Sequence, residues 1–366
     1  MFLAAAAIAV LLAAGLTMLL VPMVQSLSLR LGFVDIPSGR NIHRGPMPLG
    51  GGIAMLLAIV MPTLLVLVWV QAWSDGPPPS WLPDVVKANI AGAASRAGMA
   101  LIILGGAGVL CLLGLIDDLK RLGPWIKLVV QFGVATAVVM LADLRILTVL
   151  GQPASTVVSV LWMVVIINAM NFLDNMDGLS AGITLICSCA LLAAAGSIGQ
   201  LFVSGWLCLL IGATAGFLVF NFPPARIFMG DAGSLMLGYM LAVLSMLTTY
   251  YAGSGDGRMM YRLLVPMVVL AVPLYDFLSV ITIRIREKRN PMVGDTRHFS
   301  HRLVKRGMSH RSAVLTIYLC TGVTSIAAVL LPHVENWAAV LLAGQALGVL
   351  AIIALLESAD GRHGAP

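Results

Sequence analysis

Long apolar runs separated by short polar stretches dominate this chain. A helix that crosses a bilayer needs about 20 mostly apolar residues. Eleven runs read as such spans: residues 3–24, 51–70, 99–116, 128–142, 157–168, 182–195, 202–220, 235–250, 263–283, 313–331 and 337–356. The fourth and fifth are short and extend into their flanks. The sixth and seventh are parted only by a Gly/Ser/Gln turn near residues 196–200. No basic stretch precedes the first run, so it reads as a retained span rather than a cleaved signal. The predicted fold is therefore all-α: a polytopic bundle of about eleven transmembrane helices. It forms a single membrane domain over 1–357, with a short disordered tail at 358–366. No internal repeat stands out, and the Pro-rich stretch at 76–79 reads as a spacer.

Composition agrees. The chain is 60% hydrophobic and 10% charged, against about 45–50% and about 25% in soluble domains. Five of the 22 lysines and arginines, Lys87, Arg96, Arg145, Arg258 and Arg262, fall on one set of alternate loops, and the other 17 fall on the opposite set. The positive-inside rule assigns the basic-rich set to the cytoplasm, with the amino terminus outside and the carboxyl terminus inside. The net charge of +6 thus reflects orientation and excludes nothing but a nucleic-acid partner as its cause. The five cysteines all lie in apolar stretches and read as small packing residues, with no disulfide framework.

Against this background the acids are conspicuous. A charge in the bilayer core costs about 2.5–3.5 kcal/mol on insertion scales, so such residues mark function. Asp117-Asp118, Asn171-Phe-Leu-Asp174-Asn-Met-Asp177-Gly178 and Phe228-Met-Gly-Asp231-Ala-Gly-Ser234 each sit where an apolar run ends, all on the basic-rich side. Convergent carboxylates without basic partners of their own suggest a divalent metal and a phosphorylated substrate. Asn171, Asp174 and Asn175 are spaced to share one helix face, with Asp177 in reach and Gly178 as a helix stop. In the loop from Asn221, Gly230 and Gly233 permit close backbone approach, Phe228 can stack on a base, and Ser234 is placed to cap a helix whose amino terminus attracts phosphate. The loop 284–311 carries His298 and His301 at helical spacing among many cations, which favours pyrophosphate over a transition metal. The loop Asp35…His43…Gly50-Gly51 serves equally well as a fixed turn or a phosphate contact. Asp276, inside the ninth run, is either a functional acid or the partner of a nearby arginine.

Taken in order, the Asp35…His43…Gly50-Gly51 loop, Asp117-Asp118, Asn171…Asp174…Asp177-Gly178, Asn221…Phe228-Met-Gly-Asp231-x-Gly-Ser234 and the His298/His301 loop resemble the polyprenyl-phosphate N-acetylhexosamine-1-phosphate transferase family. The resemblance spans about residues 35–311. It implies transfer of a sugar-1-phosphate from a UDP-sugar to a polyprenyl phosphate, with release of UMP, at a cytoplasmic-face cleft in the plasma membrane. It implies Mg²⁺, with Mn²⁺ as the alternative ion, on Asp231 and Asp174. Asp117 and Asp118 match the essential acid pair, Asn171, Asp174 and Asp177 the middle motif, Phe228 the uracil-stacking residue and Lys127 a basic residue of the cleft. Asp295-x-x-His298-x-x-His301 and the eleventh span point to the branch that uses UDP-N-acetylglucosamine and undecaprenyl or decaprenyl phosphate. The alternative donor is the muramoyl-pentapeptide nucleotide of peptidoglycan synthesis. A CDP-alcohol phosphotransferase fits less well, because the acids are spread from Asp117 to Asp231. An ion-coupled transporter also fits less well, because only Asp276 lies within a span. The expected partners are the UDP-sugar, the prenyl phosphate and the bilayer, with a homodimer left open.

Overall fold

Backbone in lipid must satisfy its own N–H and C=O groups, so apolar runs of this length fold as helices. A computed structural model describes residues 2–36, 45–74, 76–250, 259–292 and 296–358. His43, Arg258, Asp295 and residues 359–366 lie outside them.

The helices are α1 (Phe2–Leu31), α2 (Gly51–Ser74), α3 (Asp84–Ser95), α4 (Ala97–Lys120), α5 (Pro124–Leu141), α6 (Gln152–Leu173), α7 (Leu179–Ser197), α8 (Leu201–Asn221), α9 (Gly230–Tyr250), α10 (Met259–Val269), α11 (Ala271–Arg286), α12 (Phe299–Lys305), α13 (His310–Leu330) and α14 (Asn336–Ser358). A two-residue antiparallel pairing, β1 (Val34–Asp35) with β2 (Met47–Pro48), is the one sheet among the described residues. Ten of the helices are long and apolar enough to cross a membrane.

The ninth expected span, 263–283, is divided into α10 and α11 at Leu270. Pro273 has no N–H to give to the Val269 carbonyl, so the helical ladder breaks there. Cys187 Sγ (3.2 Å) and Ser325 Oγ (3.3 Å) donate to that carbonyl instead. This gives one of the packing cysteines a second task. Beyond the Pro-rich stretch at 76–79 the chain forms α3 before entering α4.

α9 is the axis of the bundle. It is buried along nearly its whole length and packs against α2, α4, α6, α7, α8 and α10. The buried apolar side chains form one continuous core around it. Apolar surface is exposed instead on the outer helices, most fully on α1 and α14. The amino-terminal end of α9 therefore meets the ends of α4 and α6 and the start of α5 inside the bundle, and the acidic motifs gather there.

Candidate active site

Four segments bring one polar cluster together. Lys127, in the first turns of α5, places its Nζ 2.8 Å from Asp117 Oδ2 on α4 and 2.9 Å from Asp231 Oδ2 on α9. Asn171 Nδ2 on α6 donates to Asp231 Oδ1 at 2.9 Å and to Ser234 Oγ at 2.8 Å. One ammonium and one amide thus hold Asp231 from both sides.

Asp117 and Asp118 are neighbours with different surroundings. Asp118 accepts the backbone N–H groups of Asp231 (2.9 Å, Oδ1) and Ala232 (3.3 Å, Oδ2). It caps α9 from the neighbouring helix, satisfying orphan donors and complementing the helix dipole. Gly230, with φ +69, makes the entry turn, and a Cβ there would collide with the Asp118 carboxylate. Both oxygens of Asp118 are therefore engaged. Asp117, by contrast, has a buried Oδ1 with no hydrogen-bond partner. α4 continues past both acids to Lys120.

The middle motif departs from the helical face expected for it. α6 ends at Leu173, and Asp174 follows as its C-cap with φ −80 and ψ 50. Asp177 leaves the row altogether. Its Oδ2 accepts the Ala225 N–H at 2.9 Å, tying the α6–α7 turn to the loop before α9. Gly178 opens α7 with φ +73 rather than ending α6. Among the described residues Asp174 makes no such bond, and it is half-buried. Burial, followed by the charges of Asp231, Asp118 and Asp177, holds its carboxyl well above the usual carboxylate range. Asn175 Oδ1 instead accepts from Ser300 Oγ of α12 at 2.5 Å.

The loop before α9 is fixed from several directions. Asn221 is buried, accepting from Gly178 N (3.0 Å) and donating to the Ile227 carbonyl (2.9 Å). Its amide faces the protein and not the cleft. Phe228 is half-exposed, its backbone bonded to Pro48 and Gly51. Ser234 lies beyond the first turn of α9, so it is a partner of Asn171 and not a helix cap.

On the other flank, His298 directly precedes α12 and His301 lies on it, their ring centroids 6.3 Å apart. Burial, then the neighbouring His298, Lys305 and His310, push the His301 imidazole down to about 4. His301 is therefore neutral at physiological pH and contributes an N–H or a lone pair rather than a charge. Its folded-state value lies below that of a free imidazole. It thus favours folding fully above about pH 6.5, and that preference is lost as pH falls towards 4. A histidine NMR titration is expected to show one ring, missing in His301→Gln, still neutral at pH 5.

Several positioning residues carried no signal in the sequence pattern. Tyr318 Oη donates to the Gly178 carbonyl (2.5 Å), and Arg311 donates twice to the Pro223 carbonyl (2.9 and 2.7 Å). Buried Arg284 lies 5.0 Å from the Phe172 ring and donates to the Pro291 carbonyl at 2.6 Å. Glu357 at the end of α14 binds Arg302 (2.9 Å) and Tyr275 (2.7 Å), joining the last span to the histidine loop.

A divalent cation fits the chemistry of this cluster. Asp117, Asp174 and Asp231 outnumber the one ammonium between them, and the Asp117 Oδ1 lacks a partner. Among the described residues no three acids or imidazoles already converge at ligand spacing. In this arrangement the Lys127 ammonium supplies the positive charge that Asp117 and Asp231 share.

The fold and this cleft define a helical, polytopic membrane protein with its polar site at one end of the bundle. Residues 100–249 match the model of glycosyl transferase family 4. The chain is 33% identical over 332 residues to the probable undecaprenyl-phosphate N-acetylglucosaminyl 1-phosphate transferase of Bacillus subtilis, covering 88% of this chain and 84% of that one. It is 35% identical over 369 residues to the decaprenyl-phosphate N-acetylglucosaminephosphotransferase of Mycobacterium tuberculosis, covering 92% and 86%. It is 25% identical over 329 residues to the undecaprenyl-phosphate alpha-N-acetylglucosaminyl 1-phosphate transferase of Escherichia coli K12, covering 84% and 80%. The chain belongs to glycosyl transferase family 4.

Proposed function

We propose that this protein transfers N-acetylglucosamine-1-phosphate from UDP-N-acetylglucosamine to an undecaprenyl or decaprenyl phosphate, releasing UMP and starting a cell-envelope polysaccharide. The observation that carries this reading is the cluster of Asp117, Lys127, Asn171 and Asp231, drawn from four segments to one end of the bundle. The activities named for the relatives support the same reaction class. The transporter reading gains nothing from the break at Leu270, because Cys187 and Ser325 take up the freed carbonyl.

In the reaction, a lipid phosphate oxygen attacks the β-phosphorus of the donor. The bond from that phosphorus to the bridging oxygen breaks, and UMP leaves. Phosphoryl transfer depends on positioning and charge stabilisation more than on covalent help from the protein. Asp117, with its unpartnered Oδ1, takes the acceptor's proton or orients the acceptor. Asp118 acts at one remove by fixing the start of α9. Lys127 and His298 meet the donor's phosphates, and His301 donates a neutral N–H to them. Phe228 offers its half-exposed ring to the uracil, while Asn221 and Asp177 hold the loop that presents it. Mg²⁺, when bound by Asp231 with Asp174, would neutralise charge on the pyrophosphate.

Purified protein given Mg²⁺, prenyl phosphate and a panel of UDP-sugars is expected to release UMP from UDP-N-acetylglucosamine and not from the muramoyl-pentapeptide donor. The reverse pattern would overturn the choice of donor.

The cleft should face the cytoplasm, where nucleotide sugars are. With the five native cysteines replaced, Lys288→Cys is expected to be shielded from an impermeant thiol reagent in intact cells, and Ser80→Cys to be labelled. Labelling of Lys288→Cys from outside would invert the topology and separate the site from its donor.

A further inference from the structure

Asp276 is fully buried on α11 and serves none of the steps above. One of its oxygens, Oδ2, lies 2.9 Å from His298 Nδ1, and the other, Oδ1, accepts the Phe299 N–H at 2.6 Å. It therefore holds both the side chain of buried His298 and the first N–H of α12. Its partner is a histidine, not the arginine that sequence reading offered as an alternative. Phe172, next to Asn171, meets the His298 ring edge-on at 5.6 Å, which limits ring rotation. Among the described residues no hydrogen bond reaches His298 Nε2.

An ionised carboxylate only accepts, so it selects the imidazole form with a proton on Nδ1. Nε2 then carries the lone pair, and the buried carboxylate stands behind the ring much as a carboxylate behind a metal-bound or catalytic imidazole fixes its tautomer and orientation. We infer that Asp276 is a positioning residue that keeps Nδ1 of His298 protonated, so that Nε2 meets the donor's pyrophosphate as a protonatable nitrogen. This rests on the proposed reaction for its consequence, but the pairing can be tested without it.

Asp276→Asn separates the two tasks. The amide oxygen can still accept from Phe299 N, while the amide N–H₂ donates to Nδ1 and moves the ring proton to Nε2. The fold contact is kept, and the charge partner and tautomer are lost. In ¹⁵N-histidine spectra, with the His298 signal identified by its loss in His298→Ala, Nδ1 is expected to be protonated in the wild type and unprotonated in Asp276→Asn. UMP release is expected to fall at least about tenfold in kcat/KM. In a double-mutant cycle, His298→Ala and Asp276→Asn are expected to be strongly non-additive, because one acts through the other. Additive losses would mean that Asp276 only supports α12, and an unchanged tautomer would break the proposed pairing. Either result would overturn the inference. Absence of UMP release from the wild type would instead count against the proposed reaction, and the tautomer measurement would still decide the pairing.

Discussion

Asp231→Asn is expected to lower UMP release by about 10²- to 10³-fold, the range seen when a group that stabilises transition-state charge is removed. Membrane insertion and folded yield should stay near wild type. In the native site both Asp231 oxygens accept, one from Lys127 and one from Asn171. An asparagine must turn its N–H₂ towards one of these donors, so one of the two bonds is lost. It also removes the negative charge that suits a cation at this point. The fold should survive, because the start of α9 is capped by Asp118 through the backbone of residues 231 and 232, which the substitution leaves in place. Initial rates of UMP release at saturating donor, set beside the yield of monodisperse protein, make the comparison. A variant with near-native rates would remove Asp231 from the centre of the site.

The acidic motifs were legible in the sequence because they contrast with a chain that tolerates few charges. Their position at span ends and on the basic-rich side came from the same contrast, and helix existence followed from hydropathy alone. The roles within each motif were less accessible, because they depend on partners far away in the chain. Asp117 and Asp118 are adjacent, yet one faces Lys127 and the other caps a helix more than a hundred residues on. Helical spacing placed Asp177 beside Asp174, but the chain leaves the helix after Leu173 and Asp177 turns to Ala225 N. Asp276 could be seen as an unusual intramembrane acid, but nothing in the pattern indicated that His298 would meet it. The break at Leu270 follows from Pro273 once Cys187 and Ser325 are known to face the freed carbonyl. Hydropathy alone reads residues 263–283 as one span.

The glycines in the apolar runs show the same limit most sharply, and one of them leads to a large expected effect. Gly114 carries no functional group, yet Gly114→Ala is expected to reduce UMP release by about a hundredfold. α4 and α9 meet so closely there that a Cβ on Gly114 would fall on the Asp231 carbonyl group and Ala232 N. These are backbone atoms that cannot rotate aside, so the two helices must separate. Overpacking of this kind typically costs about 1–3 kcal/mol, which should lower the thermal midpoint but leave the protein folded. The catalytic cost is larger, because the displaced atoms belong to Asp231 itself. The shift would disturb its contact with Lys127 and the cap from Asp118, and a misplacement of about 1 Å can cost about 10² in rate. Gly105→Ala is the control. It lies on the same helix with no atom within 4 Å of the added Cβ, and alanine favours a helix over glycine, so activity and stability should be kept. Rates and melting curves for the two variants, measured side by side, separate a general effect of alanine in α4 from a local effect at the α4–α9 contact. If Gly114→Ala works at the wild-type rate, the closeness of that contact does not set the geometry of the site.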